Sequence, residues 1–132
     1  MDVNVIIDSP IKNSNLLYKT GYYCLDPFVF IQNGDKNIGY LPSTEFEKAK
    51  KKSKLHEVYN LTVELQKLSE TKRFPLMKSS IVLEYLLEYG VKDIFVPSNF
   101  PLIEADNLRN NGITVFTKED PFYPERVSKK KE

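Results

Sequence analysis

The chain has 132 residues, 19 Lys and Arg against 18 Asp and Glu, a net charge of +1, and 41% hydrophobic and 12% aromatic residues. Those proportions fit one globular domain with a single core, and they exclude a disordered, collagenous or coiled-coil chain. No stretch nears the roughly 18 to 20 apolar residues of a membrane span, and Met1-Asp2-Val3-Asn4 lacks the basic and apolar regions of a secretory signal, so a soluble, non-exported protein is expected.

Val3-Asn4-Val5-Ile6-Ile7, bounded by Asp8-Ser9-Pro10, predicts a short strand closed by a turn, with a sheet edge as one place for it. Leu16-Leu17-Tyr18 precedes a loop from Gly21 to Pro27. Phe28-Val29-Phe30-Ile31, four apolar β-formers in a row, then predicts a strand buried on both faces. Asn33-Gly34-Asp35 supplies a turn, and Asn37 to Leu41 returns as the second arm of a hairpin that Pro42 stops. Thr44 with Glu47 three residues later has the spacing of a capping box, opening a helix to about Lys52. Early glutamates and late lysines suit that helix's dipole.

Val58 to Leu61 has the character of a strand, yet Leu61, Leu65 and Leu68 have helical spacing, so the segment is open between the two periods. From Lys78 to Tyr89, residues Ile81, Val82, Tyr85, Leu86 and Tyr89 share one helix face, and Gly90 suits the left-handed residue that ends it. Asp93 to Val96 predicts a strand, Pro101 the first turn of a helix that stops before Asn110-Asn111-Gly112, and Ile113 to Phe116 a last strand. A hairpin followed by alternating strands and helices implies an α/β fold: three α/β/α layers around a mixed sheet of about five to six strands. Arg126 to Glu132 offers little that could pack.

The chemistry-bearing residues are few. Cys24 is the single cysteine and His56 the single histidine, which excludes an internal disulfide, a Cys-x-x-Cys site and any metal site needing several histidines within this chain. The cysteine usage points to a reducing cytoplasm. Cys24, flanked by Tyr23 and Leu25, has the setting of a packed thiol, and His56 beside a lysine-rich stretch that of an exposed loop residue. No phosphate-cradling glycine motif is present. Lys48, Lys50, Lys51, Lys52 and Lys54 form one basic cluster and the tail another; with three arginines in all, a solvated helix face explains the first better than nucleic acid does. Glu84 and Glu88 are neighbours on one helix without a third ligand, and Glu104 and Asp106 suit the field at their own helix's N-terminus.

Several fragments taken in order carry more. Leu17-Tyr18-Lys19-Thr20-Gly21, Asp26-Pro27-Phe28, Gly39-Tyr40-Leu41-Pro42-Ser43-Thr44-Glu45-Phe46-Glu47-Lys48-Ala49, and Val96-Pro97-Ser98-Asn99-Phe100-Pro101 with Ala105-Asp106-Asn107-Leu108 resemble the N-terminal domain of the creatinase, prolidase and Xaa-Pro aminopeptidase family. The resemblance covers nearly the whole chain and implies that family's N-terminal fold, with a ribonuclease H-like motif, over residues 1–125. Residues 126–132 would then begin the linker helix into a missing C-terminal catalytic domain. Lys19 departs slightly from the family pattern, and the helix usual before the first strand would be trimmed or absent here. The two Asp, one His and two Glu that hold the family's dinuclear centre are missing as motifs.

The resemblance therefore implies a non-catalytic domain whose parent would be a metal-dependent Xaa-Pro dipeptidase or aminopeptidase. This chain would hold no cofactor, and the parent two divalent ions (Mn, Co or Zn). The expected partners are the chain's own catalytic domain, a second copy in a dimer, and proline-containing peptides, with neither nucleic acid nor membrane. The segment Gly39 to Leu55 is more similar to archaeal and bacterial prolidases. By the same resemblance Tyr22, Tyr23 and Asp26 would help shape substrate access or meet the partner subunit. The alternative is a free-standing α/β binding module whose lysine clusters contact a protein or nucleic acid.

Overall fold

In a computed structural model of the protein, residues 2–119 and 122–128 are described. The elements are β1 Val3–Asp8, α1 Ser14–Thr20, β2 Phe28–Asn33, β3 Lys36–Leu41, α2 Ser43–Lys52, β4 Glu57–Asn60, α3 Leu61–Thr71, α4 Lys78–Glu88, β5 Asp93–Pro97, α5 Leu102–Asn110, β6 Thr114–Lys118 and α6 Pro124–Ser128. The strands form one mixed sheet in the order β4-β3-β2-β1-β5-β6. Only β2 runs against its neighbours, pairing antiparallel with β1 and β3, while β1–β5, β5–β6 and β3–β4 are parallel.

Helices cover both faces, giving the expected three layers. On one face Val3, Val5 and Ile7 of β1, with Val29 and Ile31 of β2, pack under α3, α4 and α5 through Leu68, Leu86 and Leu108. On the other, Ile6, Phe28 and Phe30 pack under α1 and α2 through Leu16 and Ala49, and Phe122 and Tyr123 complete that layer. β1 is not at an edge: it lies between β2 and β5, because Val3, Val5, Ile6 and Ile7 are apolar towards both layers. Its one polar interior residue, Asn4, is satisfied by Gln32, whose Oε1 accepts from Asn4 Nδ2 at 3.0 Å and from the Tyr123 hydroxyl at 2.8 Å.

Two local expectations need correction, and one segment left open resolves. The capping box of Thr44 and Glu47 does not form, because α2 starts two residues earlier, with Pro42 and not Thr44 at the N-cap. Its first turn is tied instead to α3: the Ser43 N–H donates to Thr62 Oγ1 and Ser43 Oγ bonds Asn60 Oδ1, both at 3.0 Å. The segment from Val58 resolves into both periods, a strand to Asn60 and a helix from Leu61, with Asn60 Oδ1 capping the Val63 N–H at the junction. Tyr89 does not share the buried face of α4; it is exposed and packs on Tyr85 with ring centroids 4.5 Å apart. Gly90 does adopt the left-handed conformation, at φ 67°, that stops this helix.

α1 is an element the hydrophobic pattern leaves unmarked, being only seven residues long. Its signals are at the ends. Asn13 Oδ1 accepts from the Leu16 N–H, and Gly21 at φ 60° returns its N–H to Leu17 O at 2.8 Å. The expected tail divides: α6 begins at Pro124, and Lys129 to Glu132 lie outside the described residues.

Candidate functional site

The segment from Gly21 to Pro27 connects α1 to β2 and carries the three residues singled out for contact. It is anchored at its base by buried polar groups. Ser9 Oγ donates to the Cys24 carbonyl at 3.1 Å, and Thr20 Oγ1 accepts from the Tyr22 N–H. Tyr22 points inward, 3% exposed, and its hydroxyl donates to Glu45 Oε1 at 2.6 Å, joining the loop to the first turn of α2. Burial and then the Glu45 carboxylate push the Tyr22 hydroxyl well above the ordinary tyrosine range, so it acts as a donor and not as a base.

Alternate residues of the loop face solvent. Tyr23 is 60% and Leu25 71% exposed, and Asp26 is exposed beside them. Cys24 between them is buried, its thiol donating to the Asp26 carbonyl at 3.4 Å and pushed up to about 11, first by burial. A thiol so protonated is a packing group at neutral pH, as its flanks suggest. The three residues thus divide: Tyr22 positions the loop, while Tyr23 and Asp26 present a ring and a carboxylate outward, with Leu25 as an apolar neighbour that sequence reasoning did not single out.

The remaining candidates have structural partners. His56 is exposed and its Nδ1 accepts from the Asn37 N–H at 2.8 Å, so it extends the pairing of β3 and β4. The lysines of α2 are exposed, with Lys50 over the Phe46 ring. Glu84 and Glu88 line a small recess with Glu64 and Tyr40. Glu104 lies in the first turn of α5, as expected, and also serves α4: its Oε1 accepts from the Ser79 N–H at 3.0 Å, where Met77 at the N-cap supplies no side-chain bond. Among the described residues no group of three His, Cys, Asp or Glu could hold a metal ion. No described helix is long and apolar enough to cross a membrane.

No protein-family model matches the sequence, and no curated protein matches it. Solved structures do match in fold. The X-Pro aminopeptidase of Thermotoga maritima superposes with a TM-score of 0.68 at 10% identity over 98% of this chain and 33% of its own. The prolidase of Pyrococcus furiosus gives 0.58 at 20% identity over 98% of this chain and 31% of its own. An Xaa-Pro aminopeptidase chain of Streptococcus pyogenes gives 0.65 at 12% identity, over 89% of this chain and 78% of that one. The three-layer α/β fold of the chain is that of the matched portions of Xaa-Pro aminopeptidases and prolidases, and the chain spans about a third of the longer ones.

Proposed function

We propose that the chain is the non-catalytic N-terminal domain of an Xaa-Pro peptidase, a prolidase or an aminopeptidase P. The observation that carries this reading is that 98% of the chain superposes on 31% of the Pyrococcus prolidase and 33% of the Thermotoga aminopeptidase. The order of the sequence fragments from Leu17 to Leu108 supports it independently. Hydrolysis of the bond before proline, and the two divalent ions (Mn, Co or Zn) it would need, belong in this proposal to a C-terminal catalytic domain, and the parent protein pairs into a cytoplasmic dimer. This domain's contribution is to support that assembly and to border the entrance for proline-containing peptides.

The loop is the part of the chain suited to the second role. Tyr23 offers a flat amphipathic ring, Leu25 an apolar neighbour and Asp26 a carboxylate for a peptide's free amine, while the Tyr22–Glu45 bond holds the loop's shape. In the full-length protein, Tyr23→Ala and Asp26→Ala should raise KM for Xaa-Pro peptides with kcat and metal content unchanged, because they remove binding contacts only. Unchanged kinetics on both dipeptides and longer peptides would reduce the loop to a structural connection. A protein comprising this chain and the reading frame beyond it, yet lacking Xaa-Pro hydrolysis with divalent metal supplied, would overturn the wider proposal.

A further inference from the structure

The two parallel strands β1 and β5 lie side by side, but the chain leaves them in opposite directions. After β1 it turns to α1 in the layer of Leu16 and Phe30; after β5 it turns to α5 in the layer of Leu86 and Leu108. Such a divergence opens a crevice beyond the carboxyl ends of the strands, the place where open α/β sheets bind ligands. Here the crevice is a cavity of ≈ 350 Å³, lined by Lys12, Asn15, Ser98, Asn99, Lys118 and Arg126 among others, with no carboxylate among its described lining residues.

Its side chains are set as donors. Asn15 is 6% exposed, and its Oδ1 is committed twice, accepting from the Tyr123 N–H at 3.3 Å and from Arg126 Nε at 3.2 Å. Those two donors fix the amide's orientation and leave its NH2 at the cavity with no acceptor among the described residues. Lys12 is exposed at the rim with no carboxylate bound to it among the described residues. Lys118 contributes less charge, because its ammonium lies 3.8 Å from Asp2 Oδ2 and 3.4 Å from Asn4 Oδ1. Asp8, the nearest acidic residue on β1, accepts from Asn13 and is not part of the lining.

We propose that this cavity is a binding site for a multiply charged oxyanion, either a phosphate group or a small polycarboxylate. Lys12 supplies charge that meets no described carboxylate, Lys118 and Arg126 add to it beside partners of their own, and the Asn15 amide, Ser98 and Asn99 supply neutral donors, a mixture that water-separated surface lysines alone do not provide. The site is separate from the loop at Tyr23 and Asp26 and does not depend on the peptidase reading.

The test is a titration of the full 132-residue chain, followed by amide chemical shifts, with inorganic phosphate and with citrate, against chloride at matched ionic strength. Saturable shifts around Asn15 and Ser98–Asn99 with a Kd at or below about 5 mM for either anion, absent with chloride, are expected. Lys12→Ala should weaken that binding about five-fold or more, and Asn99→Ala should weaken it without altering the spectrum elsewhere. Saturation by phosphate alone or by citrate alone identifies which oxyanion the site takes. Shifts that fail to saturate, that chloride reproduces, or that persist at full strength in both variants would overturn the assignment.

Discussion

Lys72 ends α3 with a left-handed backbone, φ 55°, the single non-glycine case among the described residues, and its N–H still reaches Leu68 O at 3.1 Å. A side chain with a Cβ pays about 1 to 2 kcal/mol there, of which Gly recovers all but its own larger chain entropy. Lys72→Gly should therefore stabilise the protein by about 0.5 to 1 kcal/mol in urea unfolding; a loss of stability would mean that the lysine makes a compensating contact. Asn107 is the opposite case, a buried polar group with full employment. Its Nδ2 donates to Ser79 Oγ at 2.8 Å and Ser80 Oγ at 3.0 Å, and its Oδ1 accepts from Asn111 Nδ2 at 3.3 Å. Asn107→Ala should cost about 1 to 3 kcal/mol, since it removes the donor to buried Ser79 Oγ and one of the two bonds of the Ser80 hydroxyl, which keeps its bond to the Pro75 carbonyl. A urea midpoint unchanged by the substitution would show Ser79 Oγ finding another donor.

At the level of elements, α4 tests the packing of the sheet's helical layer. Leu86 is fully buried against β-strand residues such as Ile94, so Leu86→Ala should cost about 2 to 5 kcal/mol, whereas the exposed Lys51→Ala should change stability by less than about 0.5 kcal/mol. Equal small effects in chemical denaturation would place the wrong face of α4 inwards. The strands β2, β3, β5 and β6, and the helices α4 and α5, were legible because each carries an apolar pattern long enough to show its period, with a turn or cap at its end. α1 was not, because seven residues hold too few turns for a period, and its Asn13 and Gly21 ends are the only local marks. The capping of α2 and α4 was illegible for another reason: Thr62, Asn60 and Glu104 reach those helices from other elements, so the partner is set by tertiary packing. Phe95 shows the same limit. It sits in an apolar strand run, yet it is half-buried, because the layer above β5 and β6 is built from Phe116, at 5.5 Å between ring centroids, and the Lys118 ammonium. The exposed alternation of Tyr23, Leu25 and Asp26 was equally out of reach, since nothing in the sequence says that Tyr22 and Cys24 are the ones turned in.

Across the whole molecule, three of the buried acids that release protons late lie together on one side of the sheet. Cys24 is raised to about 11 and Tyr22 and Tyr123 well above the tyrosine range, chiefly by burial, all in the layer of α1, α2 and Phe122. Tyr40, on the opposite face, is raised for the same reason. A group whose folded value is raised contributes stability that is fully present below its unfolded value and is lost as pH climbs towards the folded one. For Cys24 that window is about 9 to 11, and for the tyrosines it opens near 10. The protein should therefore lose stability from about pH 9 upward, slowly at first through the thiol and steeply once the unfolded chain's tyrosines ionise. Urea midpoints measured between neutral pH and about pH 10.5 would show it. Cys24→Ala should flatten the earliest part of the decline, and Tyr22→Phe, which keeps the ring and removes the hydroxyl held by Glu45, should reduce the later part. A midpoint that stays level to about pH 10.5 would contradict the burial of these groups, because a tyrosine in water and one in this core cannot then differ in the proton they hold.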